Sequence, residues 1–146
     1  MKKRNEFSLD TFRFSSETIF RMKKAKVGVV YLFGSRVEGI NTIFSDFDLG
    51  VVLQDISYLE NSLPLYSELY DIFSEELPLT FSREVDIVFL QQASVELKFE
   101  VINKGRVLFE ISPHFRITFE EKITRDYLDC VHFFKEYEKV TKEIFS

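Results

Sequence analysis

Asp46 and Asp48 stand one residue apart, with ten residues between them and a preceding Gly34-Ser35 pair, in the stretch FGSRVEGINTIFSDFDLGVV (33–52). Side chains on a strand alternate between faces, so a strand over DFDLGVVL (46–53) points both carboxylates the same way. Phe47, Leu49, Val51 and Leu53 then face the opposite side, toward a core. Two carboxylates on one face repel each other unless a cation or a proton sits between them. Asp86 opens another apolar strand, EVDIVFL (84–90), with Val85, Ile87 and Phe89 on the face it does not share. If these strands are neighbours, three carboxylates converge at one sheet edge. Oxygen-only ligands suit Mg2+ or Mn2+, with water and substrate phosphates completing the shell. They do not suit structural zinc, which prefers histidine and cysteine.

Gly34 and Ser35 supply the complementary half. Glycine lets a phosphate approach the backbone closely. Ser35 is placed to cap a following helical turn or to donate its hydroxyl, and N–H groups at a helix start favour an anion. A phosphate cradle facing a carboxylate cluster is the equipment for phosphoryl or nucleotidyl transfer. Gly-Ser alone usually marks a turn, and Asp-x-Asp alone is common. The combination, with a third aspartate opening another apolar strand, points to chemistry. Gly34→Val is therefore expected to block nucleotide binding with little effect on folding.

The elements that position these residues follow from periodicity. Ser8 to Lys24 reads as a first helix, with lysines in its last turn. VGVVYLF (27–33) is a continuous apolar run and reads as a buried strand. Ser62 is placed to cap a helix with Pro64 in its first turn and Leu65, Leu69, Ile72 and Phe73 at helical spacing. Ser94 to Lys104 reads as a helix closed by Gly105, with RVLFEI (106–111) as a short strand after it. Ser112-Pro113 opens the longest element. Its apolar stripe for the sheet is Phe119, Ile123, Tyr127, Val131 and Phe134, and Leu128, Phe133 and Tyr137 widen that stripe beyond a single face. This order predicts an α/β or α+β fold, a small mixed sheet with packed helices and a long C-terminal helix. Residues 1–146 read as a single domain, with 113–145 as the C-terminal helix at an interface.

Composition narrows the class. The chain has 146 residues, 45% of them hydrophobic, which is enough for a real core. No apolar run approaches membrane-spanning length, and MKKRNEFSLD lacks the apolar stretch of a signal peptide. Cys130 is the single cysteine, which suits a reducing cytoplasm. It reads as a core or interface residue. A net charge of −5 disfavours a broad nucleic-acid surface. The basic runs KKR (2–4) and RMKKAK (21–26) read as solvated charge, and His114 and His132 lack partners for catalysis.

GSRVEGINTIFSDFDLGV resembles the signature of the polymerase-beta-like nucleotidyltransferase superfamily: Gly-Ser, ten residues, Asp-x-Asp. VDIVFL is similar to the third-carboxylate strand of the minimal nucleotidyltransferase (MNT) proteins. FEVINKGRVLFE is similar to their helix-glycine-strand segment, and the YLD of ITRDYLDCVHFFKEY to their last helix. The likeness spans roughly residues 25–140. Glu38 and Gly50 depart from the usual pattern, but neither change removes a ligand.

The resemblance implies the polymerase-beta-like fold and ATP bound through Mg2+ (or Mn2+). Gly34 and Ser35 would hold the β- and γ-phosphates, and Asp46 and Asp48 the metals. Asp86 would hold the second metal and act as general base on an acceptor hydroxyl. Arg36 would either neutralise phosphate charge or form a surface salt bridge.

Among the branches of that superfamily, a templated polymerase needs further domains and basic surface, so nucleic acid is not expected as a direct substrate. Aminoglycoside nucleotidyltransferases usually carry an added helical domain. The implied role is that of an MNT antitoxin, which inactivates a HEPN-type toxin by adenylylating a tyrosine. The alternatives are a small-molecule, antibiotic-type transferase that self-associates through the C-terminal helix, and a binding-only antitoxin without turnover.

Overall fold

Four strands form one mixed sheet in the order β3-β2-β1-β4. The computed structural model describes residues 12–34, 47–77 and 84–145. Along the chain the elements are α1 (Ser16–Lys24), β1 (Val27–Phe33), β2 (Phe47–Leu53), α2 (Ser62–Glu76), β3 (Val85–Phe89), α3 (Val95–Lys104), β4 (Arg106–Glu110) and α4 (Pro113–Phe145). β1 pairs antiparallel with both β2 and β4, and β2 pairs parallel with β3. The two central strands are therefore β1 and β2, and their near-continuous apolar runs fit strands covered on both faces.

Alternation along these strands divides the core into two layers. Phe47, Leu49, Val51 and Leu53 of β2 join Val85, Ile87 and Phe89 of β3 beneath α1 and α2, where they meet Met22, Leu69, Ile72 and Phe73. On the other face Val29, Tyr31 and Val52 pack with Leu90, Val101, Phe115 and Phe119 under α3 and α4. The architecture is thus three layers, α/β/α, with a mixed sheet in the middle.

Local chemistry corrects several expected boundaries. α1 starts at Ser16 and not at Ser8, because Ser15 takes the N-cap and accepts a hydrogen bond from the Thr18 amide at 3.2 Å. Phe12 to Ser15 run outside the helix, and the part of the expected helix before Phe12 lies outside the described residues. Before α2, a 3-10 segment covers Ile56–Asn61, and Asn61 rather than Ser62 holds the N-cap position. Gly105 ends α3 with its N–H on the Val101 carbonyl at 2.7 Å, but at φ −71° it is extended, not left-handed.

α4 docks onto the sheet through its first half only. The Ser112 hydroxyl accepts from the Phe115 amide, and the Phe115 ring lies over Gly28 of β1, where a Cβ would collide with it. Tyr127 stacks on Phe99 of α3 with ring centroids 3.7 Å apart. Phe134, expected in the sheet-facing stripe, is instead exposed, as are Leu128, Phe133 and Tyr137. From His132 to Phe145 every residue except Thr141 is exposed. At 1.5 Å per residue, about 20 Å of helix projects past the layers.

A polar chain fixes the docked half. The Tyr31 hydroxyl donates to Glu120 at 2.9 Å, Arg116 bridges Glu120 at 3.1 Å, and the same guanidinium reaches Glu110 of β4 at 2.5 Å. Burial, and then the Glu120 carboxylate, push the Tyr31 hydroxyl well above its ordinary value, so it remains a neutral donor. Tyr31→Phe removes one bond to a charged acceptor that keeps its arginine. The expected cost is about 1.5 kcal/mol, or about 4 °C in a chain of this size. Because the folded value is raised, Tyr31 contributes fully below about pH 10, and its contribution is lost as the pH rises past that point. Thermal melts of both proteins at pH 8 and near pH 11 are expected to differ most at the lower pH.

Candidate active site

The end of β1 and the starts of β2 and β3 meet at one edge of the sheet. Phe33 of β1 is the register partner of Asp48, and Asp48 is the register partner of Asp86. Register partners on neighbouring strands project to the same face, about 4.8 Å apart from strand to strand. The Phe47 amide donates to the Glu84 carbonyl at 2.9 Å, which extends the β2–β3 pairing upstream of Asp48 and Asp86. Asp86 is exposed and Asp48 half-buried.

Gly34 comes within reach of the same carboxylate. Its φ of +81° lies in the left-handed region, which glycine enters without strain. A Cβ built on Gly34 would land on the Asp48 carboxylate oxygen and lie 3.2 Å from its Cγ. The missing side chain thus lets the β1 turn close against Asp48. The structure brings together Gly34, Asp48 and Asp86 of the expected site. Ser35, Arg36 and Asp46 lie outside the described residues.

The donor chemistry suits a hard divalent cation. Two carboxylates in register on one face repel, and a bridging cation relieves that repulsion. Both are oxygen donors, and the exposure of Asp86 leaves room for water and phosphate oxygens. Among the described residues no group of three histidine, cysteine or acidic side chains is assembled for a metal. His114 and His132 are exposed on α4, and Cys130 is half-buried there.

Phe33 is a neighbour that sequence reasoning treated only as the last residue of a strand. Its register places it beside Asp48, and its ring packs at the margin of the α3/α4 core layer. The signal was present in the sequence: Val29, Tyr31 and Phe33 alternate onto one face, and pairing with β2 makes it the carboxylate face.

A family model described as Polymerase beta, Nucleotidyltransferase matches residues 17–114. No curated protein matches the sequence. Several solved structures share the fold. A chain from a toxin–antitoxin crystal structure with AMP-PNP superposes with a TM-score of 0.53 at 24% identity, covering 89% of this chain and 98% of the other. A protein from Shewanella oneidensis gives 0.56 at 19% identity, covering 88% and 92%. A chain from a complex of tri-AMPylated Shewanella oneidensis HEPN toxin with MNT antitoxin gives 0.50 at 23% identity, covering 89% and 94%. Among the described residues, no helix is long and apolar enough to cross a membrane.

Proposed function

The chain belongs to the polymerase beta nucleotidyltransferase family, and from that premise we propose that it transfers AMP from ATP to a hydroxyl acceptor, the tyrosine of a cognate HEPN-type toxin. The observation that carries this reading is the in-register pair Asp48 and Asp86 with Gly34 closed against it. Toxin–antitoxin complexes among the structures of the same fold, one with an AMPylated toxin, support the choice of acceptor.

The roles follow from position. Asp48 and Asp86, with Asp46 from its spacing in the signature, would hold Mg2+. The bound ion supplies charge neutralisation for the triphosphate and acidifies the acceptor hydroxyl. Gly34 leaves its backbone open to the β- and γ-phosphates, with Ser35 and Arg36 next to it in the sequence. Asp86, exposed to an incoming macromolecule, takes the proton of the acceptor hydroxyl. The acceptor oxygen then bonds to the α-phosphorus as the bond to the pyrophosphate oxygen breaks.

The projecting half of α4 is the surface we assign to the partner. Phe133, Phe134, Tyr137 and Ile144 are all more than half exposed there. Burying a large side chain stabilises an assembly by roughly 1.5–3 kcal/mol, so two or three suffice to bias binding. A second copy of the chain could use the same surface, as the antibiotic-type reading requires.

Co-expression with the neighbouring gene product tests the proposal. Purified partner incubated with the chain, ATP and Mg2+ is expected to gain the mass of one or more AMP groups on tyrosine. No mass gain in a complex that forms would leave binding-only inhibition as the surviving reading. Phe133→Glu is expected to stay folded and to bind nucleotide, but to lose the partner in size-exclusion chromatography. Unchanged co-elution would remove the helix surface from the assignment.

A further inference from the structure

A cavity of about 800 Å3 lies where β2 ends and α4 begins. Leu53, at its margin, lies five residue steps along β2 from Asp48, which is about 17 Å along a strand. The cavity is therefore separate from the carboxylate edge, and no residue given a part in nucleotide transfer lines it.

Its apolar floor includes Phe115 and Phe119. Gly28 sets the height of that floor, because any side chain there would collide with the Phe115 ring. The rim is cationic: Lys98 comes from α3, Lys122 and Arg125 from α4. Among the described residues none of these three pairs with a carboxylate. Among the described residues Asp126 is the one acidic side chain in the lining. Three cations gathered on one cavity, in a chain whose net charge is −5, make a local site of positive potential. The volume falls in the range of small-molecule sites, roughly 300–1,000 Å3, and an apolar lining with a few convergent polar groups is their usual make-up.

We propose that this cavity binds a small organic anion. Its flat apolar body would lie on Phe115 and Phe119, and its carboxylate or phosphate would face Lys98, Lys122 and Arg125. The proposal stands independently of the transfer reaction.

The probes are 1-naphthoate and 1-naphthyl phosphate, with neutral 1-naphthalenemethanol as control, titrated into the full chain by NMR and calorimetry. Saturable 1:1 binding is expected, with amide shifts concentrated in residues 112–126 and none at Gly34 or Asp48. The neutral control is expected to bind at least tenfold more weakly, and Lys122→Glu/Arg125→Glu to weaken the anions by tenfold or more. Both residues are exposed, so the double variant is expected to fold. Lys122→Gln, expected to lose about threefold, serves if it does not. Whichever anion binds more tightly identifies the headgroup. Equal affinity for the neutral control, indifference to charge reversal, shifts centred on Gly34 and Asp48, or no saturation at millimolar probe would each overturn the proposal.

Discussion

Asp86→Asn is expected to lower the rate of AMP transfer by roughly 10²–10⁴, the usual worth of a positioned general base, while the protein keeps its fold. The two halves of that expectation come from different observations. Asp86 is exposed, so an isosteric amide in its place disturbs no packing. It is also the register partner of Asp48 across a parallel strand pair, so strand pairing alone puts it at the sheet edge proposed for the chemistry. An amide has no proton affinity to offer an attacking hydroxyl and is a weaker ligand for a hard cation. Asp48→Asn separates the second effect from the first. Titration with Mn2+, followed by its paramagnetic signal, is expected to show tight binding in the wild type and its loss in Asp48→Asn. Equal Mn2+ affinity in both proteins would remove Asp48 from the metal site. A full transfer rate in Asp86→Asn would remove Asp86 from the chemistry.

Gly34→Val is expected to abolish ATP binding and to destabilise the fold as well. The sequence alone suggests a neutral effect on folding, since the glycine reads as space for a phosphate. The structure adds two penalties. A β-branched residue at φ +81° is strained by roughly 1–3 kcal/mol. Its Cβ would also meet the Asp48 carboxylate, so either the turn opens or Asp48 swings away. Calorimetry with a non-hydrolysable ATP analogue reads the first effect and urea denaturation the second. A folded mutant that keeps its ATP affinity would count against the cradle.

What was legible in the sequence was whatever has a short period. Two-residue alternation in DFDLGVVL and EVDIVFL assigned the core faces of β2 and β3, and those residues are buried as that alternation requires. The meeting of Asp48 and Asp86 was legible only as a condition, because strand order depends on pairing between segments far apart in the chain. Parallel pairing of β2 and β3, which takes α2 as its crossover, meets that condition. Capping chemistry was harder to read. The apolar spacing of Leu9, Phe12, Ile19 and Met22 carries a helical pattern across Ser15, yet the serine hydroxyl starts the helix there. The exposure of Phe134 could not be read from helical period, which gives a stripe but not where the neighbouring layer ends. The cationic cavity left no motif at all: Lys98 and Lys122 belong to different helices and meet only once α3 and α4 pack.

The division of α4 into a docked half and a bare half bears on how the proposed partner surface would bind. A free segment with the composition of residues 132–145 would face the full cost of helix nucleation, with a nucleation constant of about 10⁻³. Here the turns around Phe115, Ile123 and Tyr127 are already held by the sheet and by α3, so they serve as the nucleus. Each later turn then requires only propagation. A partner of the proposed kind would therefore meet side chains arranged at helical spacing before contact. It does not have to supply the ordering free energy that a disordered tail demands on binding.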